Sequence, residues 1–302
     1  MTQRLGNFDD FGMATVTLAG ALEAKLAAIR EAGFTQVMLE ANEVAAHPGG
    51  LDAAARAVKA SGLRVTGLQW LRDFEGLTDR QHVYKVEVAK AMLQMAQELA
   101  APLLLVASST NRIASQDLDA IARDLRKLSM LAVPLGIKLA YEGMSWSRTV
   151  TDFVAAWDVV CRADAPNLGL AIDTAHTLVT GTPLDELELV DAERIFVVRL
   201  ADFMEPEEPS EERGMMTSRQ VRVFPGEGMH RPQIAELMIR LAAIGYQGDY
   251  SFEVYNEDYQ QLPPPMVAQR ARAAAEWLGE DVLRRSVPLP GQLQLRRPAS
   301  AP

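Results

Sequence analysis

Short apolar runs alternate with helix-like stretches eight times along this chain, and few folds accept that order. The clearest run is Leu168-Gly169-Leu170-Ala171-Ile172, which ends in Asp173, with His176 three residues later. An unbroken apolar run of this length reads as a strand covered on both faces, as in a parallel sheet. The same form recurs at Gly12–Leu18, at Thr35–Leu39 ending in Glu40, at Arg64–Gln69 and at Pro102–Ala107. It returns at Ile137–Tyr141 ending in Glu142, at Ile195–Leu200 with Arg199 near its end, and at Asp249–Phe252 ending in Glu253. Helical spacing fills the gaps: Ala19–Ala32, Leu51–Ser61, Asp79–Leu99, Asp117–Leu135, Val150–Ala163, the short Pro183–Leu189, Arg231–Ile244 and Met266–Leu283. Gly33, Gly62, Gly136 and Gly245 stand as helix stops. Strands alternating with helices pair in parallel through right-handed crossovers. Eight such units predict one α/β domain, a single (β/α)8 TIM barrel over residues 1–285, with a Pro-rich C-terminal tail over 286–302.

Composition narrows the partners. At 302 residues and 48% apolar content the chain is long enough for one barrel and its core. The formal net charge of −10, without a basic stripe, argues against nucleic acid. No apolar run nears the roughly 20 residues of a membrane helix, and the N-terminus does not read as a signal peptide, so no membrane partner is expected. The single cysteine, Cys161, excludes an internal disulfide and suits a reducing, cytoplasmic location; its helical setting predicts burial.

In a parallel barrel the carboxyl ends of the strands meet at one mouth. Here those positions carry Glu40, Gln69, Ser108, Glu142, Asp173, Arg199 and Glu253. Glu142, Asp173 and Glu253 follow the fifth, sixth and eighth strands. Carboxylates brought together in a dry pocket raise one another's pKa unless a cation sits among them. A hard divalent metal with oxygen ligands is the usual answer. The plainer alternative is that each acid caps the helix after it, Asp173 included.

The chain resembles the xylose-isomerase-like TIM barrels of the sugar phosphate isomerase/epimerase superfamily, and within it the bacterial 3-dehydroshikimate dehydratases. The likeness covers roughly Met13 to Leu278. It is carried by Met13-Ala14-Thr15-Val16-Thr17-Leu18, Arg72-Asp73-Phe74-Glu75-Gly76, Tyr141-Glu142-Gly143-Met144-Ser145-Trp146, Asp173-Thr174-Ala175-His176, the stretch 218–228 and Ser251-Phe252-Glu253-Val254-Tyr255-Asn256. The resemblance implies a divalent metal (Mg, Mn or Co) on Glu142, Asp173 and Glu253. It implies His176 as general base, or as a hydrogen-bond partner of a ligand carboxylate. It implies that Arg72 and Arg222 clamp an anionic substrate, with Ser218 adding a hydrogen bond and Glu75 orienting the arginine loop. The chain departs from the pattern at Arg199. The superfamily places histidine there and the dehydratase branch glutamine; arginine has no free lone pair and cannot coordinate a cation. Either three carboxylates and water hold the metal, or Arg199 neutralises the carboxylates itself.

Three readings follow. The leading one is a metal-dependent lyase that dehydrates a small anionic keto acid through an enolate, as a 3-dehydroshikimate dehydratase does. The second is a sugar or keto-inositol isomerase/epimerase in which Glu142 and Glu253 shuttle a proton. The third is a metal-free, non-catalytic binding barrel, with Arg199 in place of a ligand. The expected partner is a small-molecule acid or sugar. Self-association as a homo-oligomer is also expected, with the acidic stretch 204–213 as a candidate lid or interface.

Overall fold

The computed structural model describes residues 8–204 and 222–284. Its barrel strands are β1 (Phe11–Ala14), β2 (Gln36–Glu40), β3 (Arg64–Arg72), β4 (Leu103–Ala107), β5 (Lys138–Glu142), β6 (Leu168–Asp173) and β7 (Ile195–Leu200). A short antiparallel pair follows, β8 (Asp202–Phe203) and β9 (Arg222–Val223), and β10 (Asp249–Phe252) completes the barrel. The ring closes in the order β1-β10-β7-β6-β5-β4-β3-β2, and its neighbours are parallel throughout. This is the predicted single (β/α)8 barrel.

The outer layer is made of α1 (Leu22–Glu31), α2 (Ala41–Ala45), α3 (Gly50–Ser61), α4 (Asp79–Glu98), α5 (Leu118–Ala132), α6 (Phe153–Ala163), α7 (Thr174–Thr180), α8 (Arg231–Ala243) and α9 (Pro264–Glu276). Local chemistry sets several of the boundaries. Asp117 caps α5 by accepting from the Asp119 amide, and Asp152 caps α6 by accepting from the Ala155 amide at 2.8 Å. Gly143, just past β5, lies so close to the Asp152 backbone that a Cβ there would collide with it.

Strand periodicity sorts the core into two parts. Ala14, Met38, Leu103, Leu105, Ala140, Ala171 and Val197 form a small cluster inside the barrel. Alternate residues such as Leu39, Leu104, Val106, Leu139, Tyr141, Leu170 and Ile172 pack outward into the large cluster shared with the helices. Side chains alternate faces along a strand, so the two clusters follow directly from the apolar runs.

Some boundaries differ from the sequence reading. The first strand stops at Ala14 and gives way to a 3-10 turn over Thr15–Thr17. There the threonine hydroxyls serve backbone groups, Thr17 donating to the Phe252 carbonyl and Thr15 accepting from the Glu40 amide. β3 runs on to Arg72, three residues past the predicted end at Gln69, and takes in Trp70. α7 was not among the predicted helices; Asp173 starts it, as the capping alternative holds. Cys161 is exposed on α6, not buried, because it falls on the solvent face of that helix. Among the described residues no helix is long and apolar enough to cross a membrane. The tail 286–302 lies outside the described residues.

Candidate active site

The same alternation aims charged side chains into the barrel. Met38, Ala140, Ala171 and Val197 line the interior, and two residues beyond each come Glu40, Glu142, Asp173 and Arg199. A period of two puts these four on the inward face at the carboxyl end. Asp173 and Arg199 are paired in register across β6 and β7, and Ser251 pairs with Arg199 across β10. Glu253, two residues past Ser251, closes the ring of charges.

Arg199 lies at the centre and is 1% exposed. Its Nη1 donates to Glu142 Oε1 at 2.5 Å and lies 3.3 Å from Asp173 Oδ2, and its Nη2 is 3.0 Å from Glu253 Oε2. Arg222, from β9, adds a second guanidinium: its Nη1 donates to Asp173 Oδ2 at 3.1 Å and to Glu253 Oε2. Three carboxylates therefore face two guanidiniums, all buried. Burying such charges unpaired would be prohibitive, and the pairs are what make the cluster tolerable. Asp173 has a second task, accepting from the Ala175 amide at 2.7 Å as the cap of α7. The structural and the charged readings of this residue are both true.

The pKa values follow from burial set against these neighbours. Burial pushes Glu142 up to about 7 against the pull of Arg199. It raises Glu253 against Arg222 and Arg199. For Asp173 burial also pushes upward, but Arg222 and Arg199 outweigh it and hold the carboxyl below its usual range. Burial lowers His176 to about 3, with Asp173 opposing and both arginines assisting, so the imidazole is neutral near pH 7.

A cavity of about 590 Å³ opens above the cluster. Arg199, Arg222, Glu253 and His176 form part of its wall, together with Glu40, Trp70, Arg72 and Trp146. Glu142 and Asp173 lie beneath Arg199 and do not line it. Arg72 is exposed at the end of β3, with its guanidinium 4.5 Å from the centre of the Trp70 ring; Arg199 approaches the same ring at 4.7 Å. His176 Nδ1 accepts from the Ser145 amide at 3.3 Å and sits 3.1 Å from the Ser145 hydroxyl, and Trp146 packs edge-on against the imidazole at 4.7 Å. An Nδ1 that accepts leaves the proton of the neutral ring on Nε2.

The expected site residues therefore divide. Glu142, Asp173, His176, Arg199, Arg222 and Glu253 come together, and Arg72 joins them at the rim. Arg222 faces carboxylates of the protein itself, where a substrate carboxylate was expected. Glu75 is not on the cavity wall. It is 1% exposed beneath the loop, where its Oε1 accepts from the Ser109 amide at 2.6 Å and from the Tyr141 hydroxyl at 3.0 Å, and burial raises its pKa to about 7. Ser218 and residues 205–213 lie outside the described residues. Glu40 was passed over as a site residue although its strand-end position is the signal that finds it. It lines the cavity, and burial lifts its pKa to about 7 against the charge of Arg72.

Glu142, Asp173 and His176 each offer a ligand atom, all within 4.8 Å of one another, a spacing that suits a divalent ion. The lone pairs such an ion would need, however, already face guanidinium nitrogens. Arg199 offers none in return and brings its own positive charge. With Arg199 in this position the donor set does not fit a divalent ion.

Comparison with known proteins assigns the family. The chain matches the xylose isomerase-like TIM barrel family over residues 26–280, and it belongs to that family. The 3-dehydroshikimate dehydratase of Pseudomonas aeruginosa is 35% identical over 253 residues, which are 83% of this chain and 39% of that protein. The chain thus spans well under half the length of that relative. An inosose isomerase of Bacillus licheniformis is 25% identical over 200 residues, covering 63% of this chain and 66% of that one. A solved xylose isomerase-like TIM barrel/4-hydroxyphenylpyruvate dioxygenase fusion protein superposes with a TM-score of 0.84 at 30% identity, over 91% of this chain and 43% of the other.

Proposed function

We propose that this barrel is a lyase that dehydrates a small cyclic keto acid, with 3-dehydroshikimate as the specific substrate and protocatechuate as the product. The observation that carries the reading is the cavity wall, where the exposed guanidinium of Arg72 and the near-neutral carboxyl of Glu40 face the same space. The likeness to the Pseudomonas dehydratase supplies the substrate.

In this reading Arg72, braced on Trp70, takes the substrate carboxylate as a charge-assisted pair. His176, with Nδ1 held by Ser145, presents Nε2–H to a ketone or hydroxyl oxygen. A base with a pKa near 3 draws an α-proton poorly, so that step falls to Glu40, whose pKa lies close to working pH. Glu40 removes the proton α to the ketone. The ring gains a double bond as hydroxide leaves, and the proton held by Glu40 departs with it as water; the resulting dienone then enolises, a ring CH2 losing a proton and the ketone oxygen gaining one, to give the aromatic product. Chemistry of this kind needs positive charge beside the developing enolate oxygen. A divalent Mg, Mn or Co ion on Glu142, Asp173 and Glu253 would supply it if Arg199 did not already occupy their centre. A cytoplasmic location fits the single free cysteine.

The test is to incubate the full chain with 3-dehydroshikimate and follow the ultraviolet absorbance of the aromatic product, once with chelator and once with each metal. Product in either condition is expected. No product in any condition would sink the lyase reading and favour a binding barrel. Glu40→Gln should lower kcat by about 10²–10⁴-fold with the circular dichroism unchanged. The isomerase reading is weaker, because one of its two shuttling carboxylates, Glu142, lies below Arg199 and away from the cavity.

A further inference from the structure

We propose that Arg199 is a built-in replacement for a divalent cation, so that the barrel mouth carries its own fixed positive charge and binds no metal. The inference concerns the ionic make-up of the site and holds whichever substrate enters.

Three observations carry it. Arg199 meets all three carboxylates at once: Glu142 at 2.5 Å, Glu253 at 3.0 Å and Asp173 at 3.3 Å. These acids come from β5, β6 and the end of β10, and Arg199 comes from β7 between them. A single guanidinium therefore occupies the centre to which a shared metal would have to bind. Next, the position is enforced. Among the described residues Arg199 is the largest fully buried side chain, and its backbone is held in register with Asp173 on one side and Ser251 on the other. The Trp70 ring, 4.7 Å from the guanidinium carbon, adds a cation–π contact. A second cation, Arg222, already neutralises Asp173 and Glu253 from β9. A doubly charged ion added here would repel two guanidiniums that burial cannot screen.

Finally, donors remain to be used. The Nε of Arg199 and the Nε of Arg222 have no hydrogen-bond partner among the described residues, and both side chains form part of the cavity wall. Both guanidiniums give the cavity wall a fixed positive charge, so an anionic oxygen there meets two cations. Guanidinium donors would thus do for an enolate or carboxylate oxygen what a Lewis acid does elsewhere, through charge-assisted hydrogen bonds. Unlike a metal, they would not be lost to a chelator.

The experiment uses the full chain, dialysed against chelator and then against Zn²⁺, Mn²⁺, Co²⁺ or Mg²⁺, with bound metal measured by mass spectrometry and by titration calorimetry. The unaltered protein should retain no stoichiometric metal, whereas Arg199→Gln should gain about one equivalent, as an open site of three protein ligands does. Stoichiometric metal on the unaltered protein, lost in Glu142→Gln, would overturn the inference. So would a folded Arg199→Gln that takes up none. If Arg199→Gln does not fold, the unaltered protein decides the question alone. Failure of the dehydration assay would leave these metal readouts in place, and turnover seen only with added metal would overturn the metal replacement while upholding the lyase.

Discussion

The two ends of the barrel share the same eight strands yet present opposite surfaces. The carboxyl end holds a cavity of about 590 Å³ floored by buried arginines and bounded by acids. The amino end holds a wider depression, about 1070 Å³, lined by residues such as Thr66, Pro102, Lys138, Phe196 and Gln247. Charges occur at both ends. At the amino end Arg64 forks onto Asp249 at 2.9 and 2.6 Å, and Lys138 lies 4.6 Å from the Phe196 ring, but the Arg64–Asp249 pair is only half-buried and Lys138 is exposed. The larger depression is therefore the less promising one. Solvent levels the energy of exposed pairs, whereas burial at the other end shifts pKa values and leaves donors unsatisfied.

That contrast can be broken by substitution. Arg199→Ala removes the cation at the centre of three buried carboxylates and should cost about 3–5 kcal/mol of stability, read by urea denaturation. A loss below about 1 kcal/mol would show that the cluster is not held as described. Next in size is a pH effect confined to the carboxyl half. Glu75 has its pKa raised by burial from 4.5 to about 7. A raised carboxyl pKa means that the folded state prefers the neutral form. Its stabilising contribution is full below pH 4.5 and is lost as pH climbs through about 7, by about 3 kcal/mol. Glu75→Gln keeps the shape without the charge, so the variant should lose less stability than the parent between pH 5 and pH 8, as thermal melts at each pH would show. Glu40 and Glu142 titrate in the same window and leave a residual slope in both proteins.

Smaller again is Arg72→Ala. It should raise KM by about 10–100-fold for an acidic substrate, the worth of one charged hydrogen bond, with little change in melting temperature. An unchanged KM would move the substrate carboxylate elsewhere. Last comes Arg64→Ala at the opposite end, whose half-exposed pair with Asp249 should contribute about 0–1 kcal/mol and leave activity untouched. A larger loss there would erase the difference between the two ends.

The strand-end charges were legible in the sequence because strand geometry is simple. Once Ala171 faces inward, so does Asp173, and the same step of two leads from Ala140 to Glu142 and from Val197 to Arg199. Glu40 obeys that rule as plainly, two residues beyond Met38, but its strand lies across the ring from β5, β6 and β7, so sequence alone did not group it with their charges. The partners of Glu75 were hidden for the opposite reason. It follows an arginine in a loop, and no periodicity tells which way a loop side chain turns; here the Ser109 amide and the Tyr141 hydroxyl turn it inward. Arg222 was expected to meet a substrate, and nothing in its own segment reveals that Asp173, 49 residues earlier, also pairs with it.

By itself the sequence determined the barrel, its eight strands and the list of charges at their ends, since both follow from short-range periodicity. Only the tertiary structure decided what those charges do to one another. The distances around Arg199 depend on register between β6, β7 and β10, and the proton state of Glu40, Glu75 and His176 depends on how much water the finished fold excludes. Coulomb energy and desolvation are properties of the assembled mouth, not of any strand that leads into it.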